Sequence, residues 1–112
     1  MPRKIIIDTD PGQDDAVALL MAFGSPEELD ILGVVAVAGN VPLSRTLYNA
    51  RQILELAQRT GAPLYAGCAR PMRRKLVTAE HVHGETGLDG PKLPAPTMKV
   101  QERHGVLFVT LR

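Results

Sequence analysis

The stretch Ile5-Ile6-Ile7-Asp8-Thr9-Asp10-Pro11-Gly12-Gln13-Asp14-Asp15-Ala16 constrains the fold more than any other part of the chain. Three β-branched residues in a row, with no polar alternation, suit a strand buried on both faces, as in a parallel sheet. Pro11-Gly12 cannot continue that strand and marks a sharp turn. Asp14-Asp15 then opens Ala16-Val17-Ala18-Leu19-Leu20-Met21-Ala22-Phe23, apolar nearly all round, as a buried helix is. Four carboxylates therefore crowd the carboxyl end of one strand and the first turn of the next helix. In open α/β sheets, ligands bind at that edge.

The crowding has an energetic consequence. Two like charges about 4 Å apart repel by roughly 4 kcal/mol at an effective dielectric near 20. Carboxylates held that close need a proton, a set of donors or a cation. The positive end of the helix dipole suits one carboxylate but not several. A hard divalent cation with oxygen ligands answers the problem. As an N-cap and a first-turn acid, Asp14 and Asp15 have an ordinary structural reading. That reading leaves Asp8 and Asp10, on the strand side, without a reason.

The rest of the chain continues the pattern. Gly24-Ser25-Pro26 stops the first helix. Leu29 to Ala38, with Ile31, Val34, Val35 and Val37, reads as a second buried strand. Gly39-Asn40-Val41-Pro42 forms its carboxyl-end loop. Leu43 to Thr60 carries Leu47, Ala50, Ile53, Leu54 and Ala57 at alternating three- and four-residue spacing, with Arg45, Arg51, Glu55 and Arg59 outside, which predicts an amphipathic helix. Gly61 and Pro63 end it, and Leu64-Tyr65-Ala66 makes a short third strand. Residues 1–67 thus form a βαβαβ core of an open, mostly parallel α/β sheet with flanking helices. Right-handed crossovers bring the loops after all three strands to one edge, so that Asp10, Asp14, Asp15 and Asn40 face a common cleft. Residues 68–96, rich in Pro and Gly, read as a long functional loop. Residues 97–112 are read as the start of a helix, although Gly105 to Leu111 also has strand propensity. The basic run Arg70, Arg73, Arg74 and Lys75 reads as a solvated face, and Cys68 as a small buried hydrophobe.

Composition excludes several classes. The chain has 112 residues, a net charge of +1 and 1 cysteine. One domain or part of one is expected, with no internal disulfide and no electrostatic case for nucleic-acid or membrane partners. No apolar stretch approaches the ~20 residues of a membrane span. Arg3-Lys4 leads straight into a three-residue apolar run and then acids, unlike a signal peptide. A cytoplasmic location is the expectation.

Asp8-Thr9-Asp10-Pro11-Gly12-Gln13-Asp14-Asp15-Ala16 resembles the amino-terminal signature of the inosine-uridine-preferring nucleoside hydrolases. The resemblance continues through Gly39-Asn40, Ala66-Gly67-Cys68 and His81-Val82-His83-Gly84-Glu85-Thr86-Gly87-Leu88-Asp89-Gly90, and weakens after Pro96. It implies hydrolysis of the N-glycosidic bond of ribonucleosides, purine or pyrimidine, with a water activated on calcium. By the same resemblance Asp10 and Asp15 bind the calcium, and Asp10 doubles as general base. Asp14 accepts a ribose hydroxyl, Asn40 holds the ribose or the water, and His83 sits near the sugar. Asp8 is a supporting residue. Asn40 also has the commoner reading of a turn former. His81 and His83 lack the further nitrogen and sulfur ligands that zinc requires.

Members of that family are far longer than this chain, and two Asp side chains cannot fill the six to eight oxygen positions of calcium. The chain is therefore expected to be an amino-terminal portion of a nucleoside hydrolase domain, carrying half of the site and weakly active or inactive alone. An open sheet edge and uncovered apolar surface lead to an expectation of self-association or a homo-oligomer. Two other readings compete. A strand followed by Asp-x-Asp also resembles haloacid-dehalogenase-type, magnesium-dependent phosphohydrolases, with Asp8 as nucleophile and Asp10 as acid-base. That pattern wants a small hydroxyl or β-branched residue where Gly12 stands, and it leaves Asp14-Asp15 unexplained. The other is a non-catalytic fragment or a subunit that lends its acids to a partner.

Overall fold

The apolar amino-terminal run forms the centre of a sheet. The computed structural model describes residues 1–88 and 98–111. In it, β1 (Arg3–Thr9) is followed by α1 (Gln13–Phe23), β2 (Leu29–Ala36), α2 (Leu43–Leu56), β3 (Leu64–Ala66), the short α3 (Glu80–His83), β4 (Met98–Arg103) and β5 (Val106–Leu111). The strand order is β3-β2-β1-β5-β4. β1 pairs in parallel with β2 and β5, β2 in parallel with β3, and β4 antiparallel with β5. A strand flanked on both sides has to be apolar on both faces or covered on both, and the Ile5–Ile7 run meets that demand.

Strand alternation then sorts the side chains. Ile5, Ile7 and Thr9 point to one face and are all buried. Leu19 and Phe23 of α1, Val34 of β2, and Ile53 and Leu54 of α2 complete one apolar cluster there. Both helices lie on that face because two successive crossovers in the same direction, each right-handed, must do so. Among the described residues no helix is long and apolar enough to cross a membrane.

Three expectations change. Residues 98–111 are not the start of a helix but the hairpin β4–β5. His104 and Gly105, at φ 54° and 75°, make the two-residue turn between the paired Arg103 and Val106, and positive φ at both positions is what a tight hairpin needs. The β-branched run after it gains more by pairing with β1, where Leu107 stands beside Ile5 and Val109 beside Ile7 and both pack on the core, than by helix formation. Residues 97 and 112 lie outside the described set. The second change is that α2 ends at Leu56 rather than Thr60. Gln58 turns left-handed (φ 57°), and the Arg59 N–H donates back to the Leu54 carbonyl at 2.8 Å, a left-handed helix stop. Thirdly, α1 is not buried all round. Val17 and Met21 are 58% and 68% exposed, because α1 packs on the sheet through one side only.

Leu19 is 1% exposed in the middle of the cluster. Leu19→Ala is expected to lower stability by about 3 kcal/mol through lost burial and a residual cavity, which a urea melt followed by circular dichroism measures.

Candidate active site

Thr9 is the last residue of β1, and Pro11-Gly12 turns the chain into α1 within three residues. Gly12 is the N-cap and makes no side-chain cap bond, so Asp14 is not the cap. Asp14 and Asp15 instead occupy the first turn, where the helix dipole favours negative charge. Asp15 is 1% exposed and Asp10 6% exposed. The turn therefore buries carboxylates at the end of the central strand.

Hydroxyl and amide donors answer them. The Thr9 hydroxyl, itself fully buried, donates to Asp15 Oδ2 at 2.8 Å. The Asn40 backbone N–H donates to Asp10 Oδ2 at 2.9 Å, and Asn40 Nδ2 donates to the Asp10 carbonyl at 2.8 Å. His83 comes in from α3, 8% exposed. A Cβ placed on Gly12 would lie 2.6 Å from His83 Nδ1 and 3.2 Å from Asn40 Nδ2, so both side chains meet over that glycine. Asp10, Asn40 and His83 are thus brought together, with Asp15 joined through Thr9. Asp14 is half-buried beside them, and its Oδ1 and His83 Nδ1 are buried without a hydrogen-bond partner among the described residues. Asp8 lies within the ladder, between Val35 and Thr110, one residue before the end of β1.

The loop after β3 is pinned across this edge. The Ala79 N–H donates to the Asn40 carbonyl at 2.7 Å, Gln13 Nε2 to the Leu88 carbonyl at 2.9 Å, and Asn49 Nδ2 to the Thr86 carbonyl at 2.6 Å. Those bonds carry His83 to Gly12. Cys68 is exposed rather than buried, as are His81 and the basic residues Arg70, Arg73, Arg74 and Lys75. Residues 89–96 of the expected active-site loop lie outside the described residues.

Burial pushes the Asp15 carboxyl up to about 7. The Thr9 hydrogen bond pulls the other way, and the charges of Asp10 and Asp14 raise it further. The donor set fits a hard cation in kind: carboxylate oxygens, buried and mutually repelling. It falls short in number, since no group of three or more His, Cys, Asp or Glu residues able to hold a metal occurs among the described residues. Thr9 and Asn49 escaped the sequence reading. Thr9 was visible as the only hydroxyl among the acids of the turn, on the same strand face as Ile5 and Ile7. Asn49, 2% exposed, lies on the buried side of α2, where Thr46 is the other polar residue among Ala50, Ile53 and Leu54.

A raised carboxyl pKa sets the sign of the pH dependence. Below the ordinary value of 3.8 Asp15 is protonated in both states and costs nothing. Between 3.8 and about 7 the folded state holds its proton more tightly than the unfolded one, so stability falls as pH rises through that window. In the absence of divalent cations, chemical melts are expected to show lower stability at pH 8 than at pH 5, and Asp15→Asn to flatten the difference.

Comparison with known proteins places the chain in a family. The family described as inosine-uridine preferring nucleoside hydrolase matches residues 5–111. The chain is 53% identical over 106 residues to the pyrimidine-specific ribonucleoside hydrolase RihA of Photobacterium profundum, covering 95% of this chain and 34% of that protein. It is 48% identical over 110 residues to the inosine-uridine preferring nucleoside hydrolase of Crithidia fasciculata, covering 97% of this chain and 35% of that one. Among solved structures, the plant nucleoside hydrolase PpNRh1 superposes with a TM-score of 0.71 at 42% identity, over 78% of this chain and 28% of that chain. The chain spans about a third of the length of these curated relatives. Signature, sheet and relatives agree, and the chain belongs to the inosine-uridine preferring nucleoside hydrolase family.

Proposed function

We propose that this chain supplies part of the active site of a ribonucleoside hydrolase, which cleaves the N-glycosidic bond of purine or pyrimidine ribonucleosides with water. The observation that carries the reading is the meeting of His83 and Asn40 over Gly12, with Asn40 bonded to Asp10, next to the helix start that bears Asp14 and Asp15. Asp10 is the general base. It accepts a proton from the attacking water as the water oxygen bonds to the anomeric carbon. The carbon–nitrogen bond breaks, its electron pair leaves with the nucleobase, and the nucleobase takes a proton from solvent water, while the proton on Asp10 returns to solvent. Asp14 accepts a ribose hydroxyl. Asn40, whose Nδ2 steadies the Asp10 carbonyl, presents its remaining amide oxygen to the sugar or the water, and His83 closes the sugar side.

Calcium is the cation this reading assigns, held by Asp10 and Asp15. Once bound, it would supply positive charge that offsets the crowded carboxylates and acidifies water. Asp10 and Asp15 fill only part of the six to eight positions calcium takes, so the described residues account for half a site. The relatives' names differ in base preference, one pyrimidine-specific and one inosine-uridine preferring, and both classes of base stay within the proposal.

Isothermal titration with calcium chloride, beside a ribose-release assay on inosine and uridine, tests it. The 112-residue chain is expected to bind calcium weakly, to turn over little, and to lose both on Asp10→Ala. Robust turnover by the chain alone would contradict the half-site reading. Exposed Val17, Met21, Tyr65 and Phe108 further support self-association. Light scattering is expected to give a mass that rises with concentration, and a constant monomer mass would count against it.

A further inference from the structure

We infer that Gly39 is a positioning residue, fixing the direction of the Asp10 carboxylate by having no side chain. The three atoms nearest to a Cβ built on Gly39 all belong to Asp10: Oδ2, then Cγ at 2.7 Å and Cβ at 2.9 Å. The φ of Gly39 lies outside the left-handed region. The requirement there is for room rather than for a left-handed backbone. That room lets the loop after β2 close on Asp10, and the closure places the Asn40 N–H 2.9 Å from Asp10 Oδ2.

The loop has no easy retreat. The Val37 N–H donates to the Thr9 carbonyl at 3.0 Å, the Ala38 N–H to the Cys68 carbonyl at 3.0 Å, and the Gly39 N–H to the Val41 carbonyl at 3.2 Å. The Ala79 N–H holds the Asn40 carbonyl from the other side at 2.7 Å. Asp10 is 6% exposed, so its carboxylate has little space to swing into. A methyl group at position 39 therefore expels the carboxylate from its bond with the Asn40 N–H, or opens the loop. Either outcome re-aims Asp10. The consequence for catalysis rests on the proposed function, but the steric coupling does not.

A double-mutant cycle on the 112-residue chain tests the coupling. Gly39→Ala is expected to lower Tm by roughly 5 °C or more, using the usual slope for a domain of this size. In the Asp10→Gly background, which removes all three obstructing atoms, the same change is expected to leave Tm within about 1 °C. If Gly39→Ala fails to fold, recovery of folding in the double variant gives the same support. Equal losses in both backgrounds, or a double variant that fails where Asp10→Gly alone folds, would overturn the inference. Calcium titration is the readout that a merely structural role would not move. Gly39→Ala is expected to weaken binding at least about tenfold, as changes behind a ligand commonly do, while Gly61→Ala, where a Cβ meets nothing within 4 Å, is unchanged. Calcium affinity in Gly39→Ala equal to the parent's would overturn it. A parent chain that binds no calcium defeats the calcium proposal instead, and the thermal cycle then decides the role of Gly39.

Discussion

Repulsion among carboxylates at one strand end is the constraint from which the rest of the molecule follows. Asp10, Asp14 and Asp15 are gathered by a turn too short to separate them, and two of the three are buried. An isolated protein gains nothing by this. The raised proton affinity of Asp15 comes first from its burial, and the charges of Asp10 and Asp14 add to it. Folding tolerates the arrangement because the apolar cluster behind it, from Ile5 and Ile7 to Leu19 and Ile53, supplies the favourable free energy and because Thr9 and Asn40 bring donors to two of the acids. Such a local conflict with stability is common at functional sites.

The sheet converts sequence distance into proximity. Asp10, Asn40 and His83 are far apart along the chain, yet each follows a strand whose carboxyl end faces the same edge. Close approach between them depends on missing atoms as much as on present ones. Gly12 leaves room for the His83 ring and the Asn40 amide, and Gly39 leaves room for the Asp10 carboxylate. The loop after β3, tied to Asn40 and to Gln13, carries the histidine to its place.

Much of this was legible from residue order. The Ile5–Ile7 run fixed a central strand, and the βαβαβ succession fixed which loops share an edge, because crossover handedness leaves little choice. The carboxyl-terminal hairpin was not legible as such. Val106–Leu111 carried strand propensity, but its pairing with β1 is a long-range contact that no local window contains. The exposed side of α1 was missed for a related reason: an apolar helix declares that it should be covered, not what covers it. Asn40 was read as a ligand for sugar or water, and its backbone N–H bond to Asp10 depends on a loop geometry that spacing does not encode.

Membership of the nucleoside hydrolase family gives the acids their context, and the chain spans about a third of its relatives' length. The central claim is that the buried acids at the end of β1 exist to hold a cation beside a general base. Anomalous diffraction from crystals soaked in calcium tests it most directly. The account predicts one anomalous peak within about 2.3–2.6 Å of carboxylate oxygens of both Asp10 and Asp15. A map with no peak there at saturating calcium, or with the two carboxylates directed into separate environments, would contradict it.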